Sequence, residues 1–255
     1  MENSIIYEKN GDIGNIILNK PEQRNSLDLV TVQELIEAFK ESAKNNDVCV
    51  ILSAEGKHFT VGDDLKYTYE LLNDVGKLPE AMEFIGCFQE LTRAMLAHPG
   101  IIIAGLHGWV IGGGLEMLLC CDLRIAAVDT RIMLPELGVG LFFSNGSTKL
   151  LQLIIGQGRA KELMFLGKEI NAEQAMNIGL VNDVCKPDGL NRILKRTANT
   201  ILQKSHLGLR IAKKLLNENI DKNMDGVLDS EMLAIITTGQ SEEGKTRIEK
   251  FVKKE

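Results

Sequence analysis

Two short stretches of this chain are apolar at every position: "VCVIL" at 48–52 and "IIIAGL" at 101–106. Successive side chains of a strand point to opposite faces, so a half-solvated strand alternates apolar and polar residues. A strand without alternation needs cover on both faces, as in a parallel sheet flanked by helices. Helical patterns lie around these stretches. Val32, Leu35, Ile36, Phe39 and Ala43 share one face of a helix starting near Leu29, and Phe84, Phe88, Leu91 and Met95 share another. Strands alternating with helices through about residue 185 predict an α/β core.

Finer features complete the expected order. Residues 4–18 form two strands around a turn at Asn10-Gly11-Asp12. Asp64 caps a helix near Leu65, and the polar segment 73–81, with Gly76 and Pro79, is a loop between helices. Leu115 to Cys121 is a helix, "LRIAAVD" and "RIMLP" are strands, and 148–155, 159–166 and 172–178 are helices. "GLVNDVCK" is a short extended return, and the chain from Leu190 is helical, with Leu207, Ile211 and Leu215 on one face. The expected division is a core over 1–189 and a helical region over 190–255.

Charge and composition remove several function classes. There are 29 basic and 35 acidic residues, a net charge of −6, whereas nucleic-acid-binding domains are usually basic. No apolar run reaches 18 residues, and "MENSIIYEKN" has no basic leader, so neither a membrane span nor a signal peptide is expected. The five cysteines form no CxxC pair, and His58, His98, His107 and His206 have no metal-ligand spacing. The expectation is a cytoplasmic protein of the reducing compartment, with no catalytic metal.

The stretch "GWVIGGGLEMLLCC" holds the main chemical signal. Three glycines between a strand and a helix leave the first helical N–H groups free. With the helix dipole behind them, these groups stabilise either a phosphate or an oxyanion formed at a carbonyl. The stretch itself is neither GxGxxG nor GxxxxGK[ST]. Glu116 follows in the first helical turn. That position suits a simple dipole partner, and equally an acid or base whose apolar surroundings raise its pKa. Glu136, after Pro135, is a second carboxyl, either a solvated loop residue or the partner in an acid/base pair.

Taken together, "NKPEQRNSLD" (19–28), "HFTVGDDL" (58–65), "HPGIIIAGLHGWVIGGGLEMLLCCDLRIAA" (98–127), "LPELGVG" (134–140), "GRAKELMFLGKEINAEQAMNIGLVNDV" (158–184) and "SEEGKTRIEKF" (241–251) resemble the crotonase superfamily, the enoyl-CoA hydratase/isomerase family. The resemblance covers nearly the whole chain. It implies a crotonase-like spiral of ββα units with a C-terminal helical trimerisation region. It also implies an acyl-CoA thioester substrate, no tightly bound cofactor other than the coenzyme A carried by that substrate, and a homotrimer or dimer of trimers.

By resemblance, the backbone N–H groups of Asp63 and Gly113 hold the thioester oxygen. The position of Asp63 usually carries a small residue, so a carboxylate there is unfavourable unless it points outward to solvent or to a partner. Glu116 matches the residue that helps activate water, and Glu136 the residue that delivers a proton to C2. Possession of both implies a hydratase-type lyase acting on a 2-enoyl- or 3-hydroxyacyl-CoA. Isomerisation, decarboxylation or hydrolysis in the same pocket, and a CoA-ester-binding scaffold, are the alternatives. Residues implied in substrate binding are Arg24, Ser26, Leu27, Val61, Gly62, Asp64, Leu65, Gly112, Phe142, Phe143 and Ser144. Arg24 is either a phosphate contact or a solvated loop residue. After "PELGVG" the chain departs from the family pattern: "LFFSNGSTKLL" (141–151) has Phe143 where proline is usual and Ser144 where a glycine helps to place water.

Overall fold

The computed structural model describes residues 3–253, so the outermost two positions at each end of the division drawn above lie outside it. The chain opens with a hairpin, β1 (Ile5–Asn10) and β2 (Ile13–Leu18), followed by α1 (Leu29–Lys44), β3 (Cys49–Ala54), α2 (Leu65–Leu72) and α3 (Leu78–Ala97). Next come β4 (Ile101–Leu106), β5 (Trp109–Ile111), α4 (Gly113–Leu118), β6 (Leu123–Ala127), β7 (Arg131–Met133) and α5 (Ser147–Leu166). Then follow β8 (Ile170–Asn171), α6 (Ala172–Asn177), β9 (Asp183–Cys185) and four helices: α7 (Leu190–Leu202), α8 (His206–Glu218), α9 (Met224–Gln240) and α10 (Glu242–Val252).

The strands form a six-stranded sheet, β1-β2-β3-β4-β6-β9, and a three-stranded sheet, β5-β7-β8. Apart from the opening hairpin the large sheet is parallel. The segments β4-β5-α4 and β6-β7-α5 each give one strand to the large sheet, the next to the small sheet, and then a helix. This is a crotonase-like spiral of ββα units carrying a C-terminal helical region. Both faces of the large sheet are covered, as the uninterrupted apolar runs require. Val50, Leu52, Ile102 and Ala104 enter the main core with α1 and α3, while Cys49, Ile51 and Ile103 pack with Leu190, Leu194 and Ala198 of α7.

Four differences from the sequence expectation have simple causes. Residues 73–81 are not all loop: α3 begins at Leu78, with Pro79 in its first turn, where a missing N–H costs nothing. The helix expected over 115–121 starts earlier, at Gly113, and ends at Leu118. The helices expected at 148–155 and 159–166 are halves of α5, kinked at Gly156 (φ 77°). Finally, β5 and β8 are only three and two residues long, too short to show a period of two.

Beyond α7, which packs on the sheet, α8 is anchored to the core and the last two helices are open. Lys213 of α8 is buried, and its ammonium donates to Asp122 (2.7 Å) and to the Gly100 carbonyl (2.9 Å). In contrast, α9 and α10 bury no residue, and Met224, Leu228, Met232 and Ile235 form an exposed apolar stripe along α9. No described helix is long and apolar enough to cross a membrane.

Candidate active site

The three glycines each make room for a different side chain. A Cβ on Gly112 would come within 2.8 Å of Glu136 Oε1, one on Gly113 within 2.1 Å of Asp63 Oδ1, and one on Gly114 within 2.1 Å of Thr60 Cγ2. Gly112 also has φ 54° and ψ −128°, a backbone state that side chains disfavour. The turn therefore gathers residues from two distant loops around the start of α4. At the other end of α4, the buried Arg124 guanidinium donates to the carbonyls of Leu118 (3.1 Å) and Cys121 (2.7 Å), satisfying groups that the helix leaves open.

The 60–64 loop is fixed against this turn. Thr60 N–H donates to the Trp109 carbonyl (3.0 Å), and Ile111 N–H to the Thr60 carbonyl (3.2 Å). Thr60 Oγ1 donates to the Asn25 carbonyl (2.6 Å) and accepts from Gly62 N–H (3.0 Å). On the far side, Leu27 N–H donates to the Gly62 carbonyl and Asp64 N–H to the Leu27 carbonyl. The N–H groups of Asp63 and Gly113 have no acceptor among the described residues.

Glu116 is buried, and only its Oε2 is engaged. That oxygen accepts from the N–H of Ser144 (3.2 Å), the N–H of Asn145 (3.2 Å) and the hydroxyl of Ser147. Burial pushes its pKa up, and these three donors oppose the rise. The loop that departs from the family pattern is thus the loop that holds Glu116. Its own shape is fixed by Ser144 Oγ donating to Asn145 Oδ1 (2.8 Å) and by Thr92 Oγ1 donating to the Asn145 carbonyl (3.3 Å).

Glu136 lies in a short 3-10 turn, Glu136–Val139, and is equally buried, yet neither of its carboxyl oxygens has a hydrogen-bond partner. Burial, with the Glu116 and Asp63 carboxyls acting the same way, pushes its pKa up to about 7. It is not a solvated loop residue.

Asp63 corrects an expectation. Its carboxylate is neither wholly outward nor partnered: Oδ1 lies against Gly113, is shut off from solvent and has no hydrogen-bond partner, while the residue as a whole is half-buried and lines the cavity described below. Burial, reinforced by Glu116, pushes this carboxyl up to about 7. The reason is the missing side chain at Gly113, which leaves a hollow that the carboxyl fills.

A cavity of about 380 Å³ opens in front of these groups. Asp63, Leu71, Phe84, Phe88, Phe142, Phe143 and Ser144 are among its lining residues, so its wall is mostly apolar. Glu116 and Glu136 are not among its lining residues, and Glu116 is joined to it through the Ser144 N–H. Phe142 is largely exposed and Phe143 packs partly on the core. Of the other residues singled out in the sequence, Leu65 faces a neighbouring hollow with Tyr69 and Val139. Asp64 is committed to capping α2 through Lys66 N–H (3.0 Å) and Tyr67 N–H (3.1 Å). The Leu27 side chain is in the core, so only its backbone serves the loop, and Ser26 is buried beside it. Arg24 is exposed in the left-handed region (φ 53°), its carbonyl accepting from Val61 N–H.

Sequence reasoning misses Ser147, Asn145 and Thr60. A serine at a helix start reads as a cap, and nothing local reveals a carboxylate partner 31 positions away. Among the described residues no group of three His, Cys, Asp or Glu side chains could hold a metal ion, and all five cysteines are free thiols.

Comparison with known proteins identifies the family. Residues 8–255 match the sequence model of the enoyl-CoA hydratase/isomerase family. The chain is 34% identical over 250 residues to a crotonyl-CoA hydratase of Syntrophomonas wolfei, covering 95% of this chain and 94% of that one. It is 30% identical to a short-chain-enoyl-CoA hydratase of Clostridium acetobutylicum, covering 99% and 95%. A crystal structure of an enoyl-CoA hydratase from Bacillus anthracis superimposes with a TM-score of 0.91 at 28% identity, covering 98% and 96%. The chain belongs to the enoyl-CoA hydratase/isomerase family of the crotonase superfamily and is an enzyme of that chemistry.

Proposed function

We propose that the enzyme is a hydratase-type lyase that adds water to a 2-enoyl-CoA, or removes it from the 3-hydroxyacyl-CoA. The observation that carries this reading is the unlike surroundings of the two glutamates. Glu116 has one oxygen held by three donors, which favours the anion, while the unpartnered Glu136 favours the neutral acid. Two carboxyls driven apart in this way divide base and acid duties. Glu116 takes a proton from water as the water oxygen bonds to C3. The C2–C3 π electrons move toward the thioester, whose oxygen becomes an enolate held by the N–H groups of Asp63 and Gly113. Glu136 then delivers its proton to C2. Donors fixed in a dry site reward charge as it develops.

The acyl chain lies in the cavity bounded by Phe142, Phe143 and Ser144. The coenzyme A portion runs along the paired loops of Arg24–Leu27 and Val61–Leu65, past Gly112. In this reading residues 1–189 form the acyl-CoA-binding core, and residues 190–255 serve self-association, as a homotrimer or dimer of trimers. The apolar stripe of α9 supports that role. The five free thiols support a cytoplasmic location. The names of the two relatives above support short 2-enoyl-CoA substrates.

The test is a panel of acyl-CoA thioesters turned over in water labelled with heavy oxygen and followed by mass spectrometry. Gain of labelled water is expected. An unchanged mass would assign isomerisation, with Glu136 as the sole proton shuttle, and loss of carbon dioxide would assign decarboxylation. Glu116→Gln and Glu136→Gln should each lose about 10²–10⁴-fold in turnover. The double variant should be little worse, because the two act in one transition state.

A further inference from the structure

The Asp63 carboxyl is placed where the reading above needs the least negative charge. Its Oδ1 lies against the Cα of Gly113, whose N–H is one of the two free donors, and Asp63 itself supplies the other. The titratable groups facing it are Glu116, on α4, and Glu136, on the 3-10 turn; both are acids. The other elements around the cavity present Thr68, Leu71, Phe84, Phe88 and Gln89, none of them charged. An anion here has no hydrogen-bond donor on Oδ1 and no facing cation. Removing a charge from water without such partners is costly, and taking up a proton removes the cost. The neutral acid then carries an O–H, and Oδ1 has no hydrogen-bond partner in the protein. In the reading above, the thioester oxygen of the substrate sits between the N–H groups of Asp63 and Gly113, beside this carboxyl.

We infer that Asp63, as the neutral acid, is a third hydrogen-bond donor of the oxyanion hole, so that one residue stabilises the enolate through both its backbone N–H and its side-chain O–H. A carboxylic acid kept neutral in an apolar site can serve as such a donor. No proton is transferred: the O–H hydrogen-bonds to the thioester oxygen and tightens as that oxygen gains charge. The inference rests on the oxyanion-hole reading of Asp63 and Gly113. It goes further by making the side chain a catalytic residue.

The experiment uses the full-length enzyme and acetoacetyl-CoA. This ester ionises readily at C2, losing the proton to buffer and leaving an enolate that absorbs in the near ultraviolet. The pH at which half of the bound ester is enolate is read for wild type, Asp63→Ala and Asp63→Asn. Loss of one oxyanion donor costs about 10²-fold, so Asp63→Ala should need a pH about two units higher than wild type. Asp63→Asn, which keeps a neutral donor, should stay close to wild type. If the side chain acts as an anion, removing it relieves repulsion. Asp63→Ala would then form enolate at the same or a lower pH, and this result overturns the inference. An asparagine no better than alanine overturns it as well. Acetoacetyl-CoA bound to wild type without any enolate band would instead reject the oxyanion hole itself, a distinct failure.

Discussion

Ser147 is the most informative residue to change, because its hydroxyl acts on Glu116 and it is not among the residues that line the cavity. Replacing it with alanine removes one of three donors to Glu116 Oε2 and leaves the two backbone donors in place. Hydrogen bonds to charged groups contribute about 1.5–3 kcal/mol each, and about 1.4 kcal/mol corresponds to one pKa unit. Burial already pushes Glu116 up, so losing the hydroxyl pushes it further in the same direction. As a base, Glu116 works only as the anion, and activity falls as the pH drops through its pKa. The acidic limb of kcat/KM against pH should therefore move up by about one to two pH units. The rate on the plateau should change little. Ser147→Thr, which keeps the hydroxyl, should leave the limb where it is. The assay is hydration of a short 2-enoyl-CoA, followed by loss of enoyl absorbance across the pH range. An acidic limb unmoved in Ser147→Ala, with turnover intact, would refute the assignment of Glu116 as the base, or of Ser147 as the residue that holds it ionised.

Three further outcomes are expected. Glu136 has a carboxyl raised from 4.5 to about 7 in the folded protein, so the native state binds the proton more tightly than the unfolded chain. The cost of ionising it is absent at low pH, grows between those values and is complete above about 7. Glu136→Gln should then melt close to wild type near pH 4.5 and be more stable at pH 8 by about 3 kcal/mol, checked by thermal melts at fixed protein concentration. Gly114→Ala would drive a Cβ to 2.1 Å from the buried Thr60 Cγ2, and overpacking costs about 1–3 kcal/mol. Gly138→Ala, which meets nothing within 4 Å, is the control, and equal melting temperatures for the two variants would refute the packing argument. Sedimentation at micromolar concentration should show an oligomer that becomes monomeric when Met232 and Ile235 are both replaced by glutamate; a monomeric wild type would reject self-association through α9.

What the sequence reveals depends on how far each cause reaches along the chain. The face of α1 is legible because Val32, Leu35, Ile36 and Phe39 are buried by one helix acting on its own neighbours. The strand β3 is legible because its four leading residues are all buried. The start of α3 is not, since Gly76 and Pro79 read equally well as loop residues until the first turn is seen to accept the proline. Within the site, Glu116 and Glu136 stand out as carboxyls beside glycines, and the capping role of Asp64 follows from its own helix. The inward turn of Asp63 does not follow from its neighbours. It is set by the hollow at Gly113, 50 positions along the chain in Cα order. The grip of Ser144, Asn145 and Ser147 on Glu116 is likewise a contact between segments that only the fold brings together.

The glycine run behaves as a mould with three separate recesses, and each casting comes from elsewhere. Thr60 and Asp63 are delivered by one loop and Glu136 by another. Because each recess takes a single side chain, one filling can be exchanged while the mould keeps its shape and the other two keep their seats. A descendant of this protein could therefore acquire a new acid, a new donor or a wholly apolar pocket by one substitution at position 63 or 136. The same freedom does not extend to positions 112–114, where any added side chain closes a recess and evicts its occupant. Chemical novelty in this architecture is written in the loops, and the glycines set the number of places where it can be written.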